Sequence, residues 1–121
     1  MRLTMVHARG VTLCEGPPGV PLVGGDGDAT RLLEQCFSCG TRALMLHAEN
    51  LPPAFFDLSS GVAGAVLQKL RNYGVRLAIV LPPGGVAASS RFGEMVAEEA
   101  RGREFAIFDS REAAHAWLAG A

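Results

Sequence analysis

Two cysteines, Cys36 and Cys39, stand in the spacing Cys-x-x-Cys, which in other settings binds zinc or cycles between dithiol and disulfide. Redox pairs place the reactive thiol at a helix N-terminus, where the dipole favours the thiolate. This pair falls at the C-terminal end of a predicted helix, where the dipole opposes it. No second ligand pair follows, and Cys14, His47 or His7 would complete a metal site only if the fold carried it there. The cysteines therefore read as small apolar packing residues, and neither metal nor cofactor is expected.

A second candidate chemistry is nucleophilic: Ser59 or Ser60 with His47 as base, since His47 ends the predicted strand before the helix that the serines open. Neither serine lies in a Gly-x-Ser-x-Gly elbow, and His47 reads more simply as a surface or satisfied edge histidine. His7 and His115 carry no distinguishing context. Glu49, Asp57 and Glu112 stand at loop or helix starts, where capping explains an acid without catalysis. The loop Gly24-Gly25-Asp26-Gly27-Asp28 lacks the calcium-loop spacing and reads as a turn whose last aspartate caps a helix. The Gly-rich stretches at 16–27 and 82–85 lack the lysine of a phosphate-binding loop. No catalytic residue is assigned, and an enzyme is the weaker reading.

Composition limits the partners. The 121 residues fit one compact domain, and 49% hydrophobic against 19% charged residues suffices for a core without staples. A formal net charge of -1 gives no electrostatic footprint for nucleic acid or an anionic membrane. Met1-Arg2-Leu3-Thr4-Met5 has no secretory character, and no apolar run nears the roughly 20 residues that span a bilayer. Three cysteines without a disulfide framework agree with a reducing compartment, so a cytoplasmic location is expected.

The elements that must position these residues follow from periodicity. Leu3 to His7 and Val11 to Cys14, parted by Arg9-Gly10, predict a hairpin, and Val20 to Val23 a short extended piece. A helix begins near Ala29, with Leu32, Leu33, Cys36 and Phe37 on one face, and ends at Gly40. Ala43 to His47 is a buried strand, and Val62, Ala63, Val66, Leu67 and Leu70 mark a second helix closed by Gly74. Arg76 to Leu81 is another buried strand. Ser89 or Ser90 caps a third helix with Phe92, Met95, Val96 and Ala100 inward, leaving Glu94, Glu98 and Glu99 to solvent. Glu104 to Phe108 is the last strand, and Asp109-Ser110 caps a fourth helix with Ala113, Ala114, Trp117 and Leu118 inward. The expected architecture is α/β: an N-terminal hairpin, then strand-helix units with mostly right-handed crossovers, giving about five strands in a mixed sheet and about four helices over 1–121.

That order, with Asp57-Leu58-Ser59-Ser60-Gly61 opening the second helix and Phe108-Asp109-Ser110-Arg111-Glu112-Ala113 opening the last, resembles the STAS fold of anti-sigma factor antagonists over nearly the whole chain. More narrowly, the stretch from Glu49-Asn50-Leu51-Pro52-Pro53 through Phe55-Phe56-Asp57 to Gly64, followed by Leu67-Gln68-Lys69 and Asn72-Tyr73, is similar to the domain-of-unknown-function family DUF4180, which carries no assigned activity. In the antagonists, the serine before the glycine of an Asp-Ser-Ser-Gly motif is phosphorylated by a partner kinase. Ser60 matches it, with Leu58 inserted between Asp57 and the serine pair.

The resemblance implies a regulatory, protein-interacting domain, with Ser60, Ser59, Asp57 and Gly61 as the phosphorylation or partner-binding candidates and the kinase or regulator undefined. A phosphate there would sit at the positive end of a helix and change the charge a partner meets. The plainer reading makes Ser59 and Ser60 caps. The alternative function is a small-molecule or lipophile-binding domain, because Leu51 to Phe56 sets two aromatics in a connecting segment, with Phe55, Phe56 and His47 as pocket or interface candidates. The same residues would equally cover the core or a homodimer interface.

Overall fold

A computed structural model describes residues 3–24 and 26–120; Met1, Arg2, Gly25 and Ala121, and with them part of the N-terminal and glycine-loop readings, lie outside the described residues. The chain forms β1 (Thr4–Ala8), β2 (Val11–Glu15), α1 (Ala29–Ser38), β3 (Ala43–His47), α2 (Val62–Asn72), β4 (Arg76–Val80), α3 (Ser90–Glu99), β5 (Phe105–Phe108) and α4 (Arg111–Gly120). The strands make one mixed sheet in strict chain order, β1-β2-β3-β4-β5. The β1–β2 hairpin is antiparallel, closed by Arg9 and Gly10 at positive φ, and every later pair is parallel.

Strand parity divides the core between the two faces. Cys14, Leu44, Leu46, Leu77, Ile79 and Phe105 point to the side covered by α1, α2 and α3. Leu13, Ala43, Met45, Ala78 and Val80 point to the other side, where Ala114 and Leu118 of α4 cover them. Helix α4 is tied at its C-terminal end by Arg76, whose guanidinium lies 4.2 Å from the Trp117 ring centroid and donates to the Trp117 and Leu118 carbonyls at 3.2 and 3.0 Å. On the opposite face Phe55, Phe56 and Phe92 pack edge to face with centroids 5.4 to 5.9 Å apart. Ser89 fastens this cluster, its hydroxyl accepting from Leu58 N at 3.2 Å and from Phe92 N at 3.1 Å, so it caps α3.

Several local expectations change. The piece Val20 to Val23 stays outside the sheet; the Leu22 and Val23 amides both donate to the Asn50 carbonyl, which straps the segment across a loop. Asp28 precedes α1 but does not cap it, because its Oδ2 accepts from Gly24 N at 2.7 Å. Phe37 points outward, 46% exposed, and meets Tyr73 of α2 edge to face. Ala100 falls just past α3 and is exposed, and Glu99 is half-buried because it pairs with Arg71 at 2.6 Å. Gly40 closes α1 at φ +70°, the left-handed conformation that an L side chain strains to adopt.

Candidate functional site

Parallel strands end together, so the carboxyl ends of β2 to β5 share one edge of the sheet, the usual place for ligands in such sheets. Two polar residues close apolar strands there. Glu15 ends β2 and His47 ends β3, and both have the parity of Leu13 and Met45, so both face α4. From α4, Arg111 and His115 lie one turn apart on the same side of the helix and meet them.

Glu15 is the centre of the cluster. Arg111 grips it side-on, Nε donating to Oε2 and Nη2 to Oε1, both at 2.8 Å. His47 Nε2 lies 3.1 Å from Oε2, and since an ionised carboxylate only accepts, that nitrogen carries the hydrogen. His115 Nε2 stands 3.4 Å from Oε1 without the alignment of a hydrogen bond, which leaves it a buried nitrogen with no hydrogen-bond partner. Burial pushes the Glu15 carboxyl up, but the hydrogen bonds from Arg111 and His47, the Arg111 charge and the nearby His115 outweigh it and hold the carboxyl below its ordinary range. Glu15 is thus an anion, buried with three basic side chains around it.

Asn50 builds the rim. Its side chain accepts from His47 N at 2.7 Å and donates to the Pro17 and Val20 carbonyls, each at 2.7 Å, which folds the loop after β2 back over the sheet edge. Gly16 lies against this amide; a Cβ there would stand 2.3 Å from Asn50 Oδ1, so no side chain fits. Glu49 adds a bond from Gly19 N at 3.0 Å. Beside the cluster opens a cleft of about 120 Å³, lined by Thr4, Val6, Pro17 and Pro18 with Glu15 and Arg111.

The residues singled out from the sequence are distributed differently. Asp57, Ser59, Ser60 and Gly61 are exposed on the turn before α2. Asp57 Oδ1 accepts from the Ser59 amide at 3.2 Å and hydroxyl at 2.7 Å, and Ser60 Oγ donates to the Ala54 carbonyl and accepts from Val62 N at 3.2 Å. His47 turns away from these serines to Glu15, so no serine–histidine pair forms. Phe55 and Phe56 are 0% and 1% exposed, which makes them core residues and not the lining of an open pocket or interface.

The three thiols do converge. Cys14, on β2, lies near Cys36 and Cys39 at the α1 end, close enough for the thiols to act on one another electrostatically, and its Sγ approaches the Gln35 carbonyl at 3.8 Å. Burial, with hydrogen bonding to Cys39 added, pushes the Cys14 thiol far up, and burial pushes Cys36 up to about 11. Both are protonated and inert at neutral pH. Among the described residues no group of three or more His, Cys, Asp and Glu is placed to hold a metal ion.

Sequence reasoning missed Glu15, Arg111 and His115. A carboxylate at core parity closing an apolar strand, and an arginine and histidine four apart opening a helix, were the available signals. Neither says which partner the other meets.

The model of a family described as a domain of unknown function, DUF4180, matches residues 9–118, and the chain belongs to that family. No curated protein and no solved structure matches.

Proposed function

From membership of DUF4180, which brings no activity with it, we propose that this chain is a binding domain that receives a small molecule in the cleft beside Glu15 and Arg111. One observation carries the reading: a buried carboxylate, an arginine and two histidines converge at the carboxyl edge of parallel strands, next to an opening. A purely structural latch for α4 has no need of an adjoining cleft with a half-exposed arginine. Binding suits the cluster better than catalysis, because a carboxylate held below its ordinary range by hydrogen bonds from Arg111 and His47 is a weak base. Thermal unfolding of the purified chain against a panel of small metabolites tests this. A ligand should raise the midpoint by several degrees at saturation, and should not do so in Thr4→Trp, which fills the cleft from an exposed position. A panel without any such compound counts against the reading.

A second reading keeps the STAS-type, protein-interacting role with phosphorylation at Ser60. Its support is the exposure of Ser60 two residues before the start of α2, where a kinase can reach the side chain and a phosphate lies near the helix's positive end. Intact mass of the protein from its native cells, with and without phosphatase, decides it. A phosphate mapped to Ser60 supports the switch, and its absence across growth conditions leaves Ser60 as a cap.

Among the described residues no helix is long and apolar enough to cross a membrane. A cytoplasmic location and a single domain over 1–121 belong to this proposal, as does homodimer formation.

A further inference from the structure

We propose that the cleft takes a small oxyanion, a carboxylate or phosphate group, on the free edge of Arg111. The inference rests on the ligand-binding reading above and names the ligand's class. A guanidinium carries five N–H donors. Two of them, on Nε and Nη2, are committed to Glu15 at 2.8 Å. Among the described residues nothing else accepts from Arg111. Both hydrogens of Nη1 and the second of Nη2 therefore remain, and the Nη1–Nη2 edge is a fork whose spacing matches two oxygens of a carboxylate or phosphate.

Glu15 acts here as a positioning residue. By holding the side-on edge it fixes the plane of a long, flexible side chain before any ligand arrives, which lowers the ordering cost of binding. The Arg111 side chain is still 53% exposed and lines the cleft, so its free edge is reachable. Arg111 is also the first residue of the ten-residue helix α4, whose positive end favours an anion. His115 stands on the far side of Glu15, its Nε2 3.4 Å from Oε1, and is not among the residues that line the cleft. A cation there would meet the Arg111 charge beside the same carboxylate, which disfavours it. The opening of about 120 Å³ suits a small molecule.

The test follows the Arg111 Nε–Hε signal of the isotope-labelled full chain by NMR during titration with sodium phosphate, and separately with sodium acetate, at ionic strength fixed with sodium chloride. The expected result is a saturating shift of this signal and of the Ser110 to Glu112 amides. Arg111→Lys, which keeps the charge and loses the fork, weakens binding about tenfold or more. Thr4→Trp abolishes the shift with an unchanged unfolding midpoint, which keeps the test independent of folding defects in the arginine variant. A linear response no different from that to chloride overturns the proposal. Saturation by methylguanidinium chloride in place of the anions overturns the anion class while leaving the cleft a binding site. Failure of these probes and of the metabolite panel alike removes both readings.

Discussion

Arg111 meets Glu15 across 96 positions of chain, with Nε and Nη2 each 2.8 Å from a different oxygen of the one carboxylate. The pair joins the start of α4 to the end of β2, while Arg76 holds the other end of the same helix. Among the described residues helix α4 covers its face of the sheet through Ala114 and Leu118, and these two arginines tie its two ends.

Replacing Glu15 with Gln keeps the size and removes the charge. The variant should lose about 1–2 kcal/mol, at the low end for charged hydrogen bonds because Arg111 is half exposed and regains water. Urea unfolding checks this, with a lower midpoint and an unchanged slope.

The pH dependence has a definite sign. Glu15 titrates below its ordinary value of 4.5 in the folded chain. Its stabilising contribution is therefore complete above that value and lost as pH falls toward the folded one, because there the unfolded chain binds more protons. The stability gap between wild type and Glu15→Gln should be constant from pH 7 to about 5 and close below 4.5. A gap that widens on acidification contradicts the assignment of Glu15 as the ionised centre.

The thiols should separate by accessibility. In the native protein at neutral pH an alkylating reagent should modify Cys39 alone, since Cys14 and Cys36 are fully buried and held protonated. All three should react in denaturant. Mass mapping after short exposure distinguishes the sites.

Phe55→Ala should cost about 3–5 kcal/mol, the range for truncating a buried aromatic, because its ring touches both Phe56 and Phe92. A cost under about 1 kcal/mol in chemical unfolding would mean that the segment is a surface element after all.

Gly16→Ala should destabilise by about 2 kcal/mol or more, since the new methyl displaces the Asn50 amide that holds His47, Pro17 and Val20. The same variant should weaken any ligand of the cleft. Gly84→Ala, equally a glycine in a loop but with open space around its Cβ position, should not affect the cleft.

The reading of elements from sequence succeeded where one physical signal sufficed. The all-apolar run Ala43 to Leu46 read as a strand buried on both faces, and the serine pair Ser89-Ser90 marked the start of α3, where Ser89 is the residue that caps. It failed where two segments compete for one group. Asp28 had Gly24 N as an alternative to the helix it precedes, and Phe37 had Tyr73 across the surface in place of the core. The site was least legible. Apolar parity located the core side of β2 and so hid Glu15 among core positions, and nothing local to Arg111 announces a partner near the start of the chain. Phe55 and Phe56 misled in the opposite direction, because a loop-like composition of prolines and aromatics here folds into short 3-10 turns that press both rings inward.

The strict chain order of the sheet has a consequence in time. As the polypeptide leaves the ribosome, each new parallel strand docks on the one made just before it, so β1 to β5 can assemble without waiting for distant sequence. Glu15 is the exception. It is synthesised among the first strands, yet Arg111 emerges only with α4, and until then, among the described residues of the sheet, its carboxylate has His47 as its basic hydrogen-bond partner. Because α4 is the last element in chain order, the face of the sheet it covers is closed only once that helix has been made.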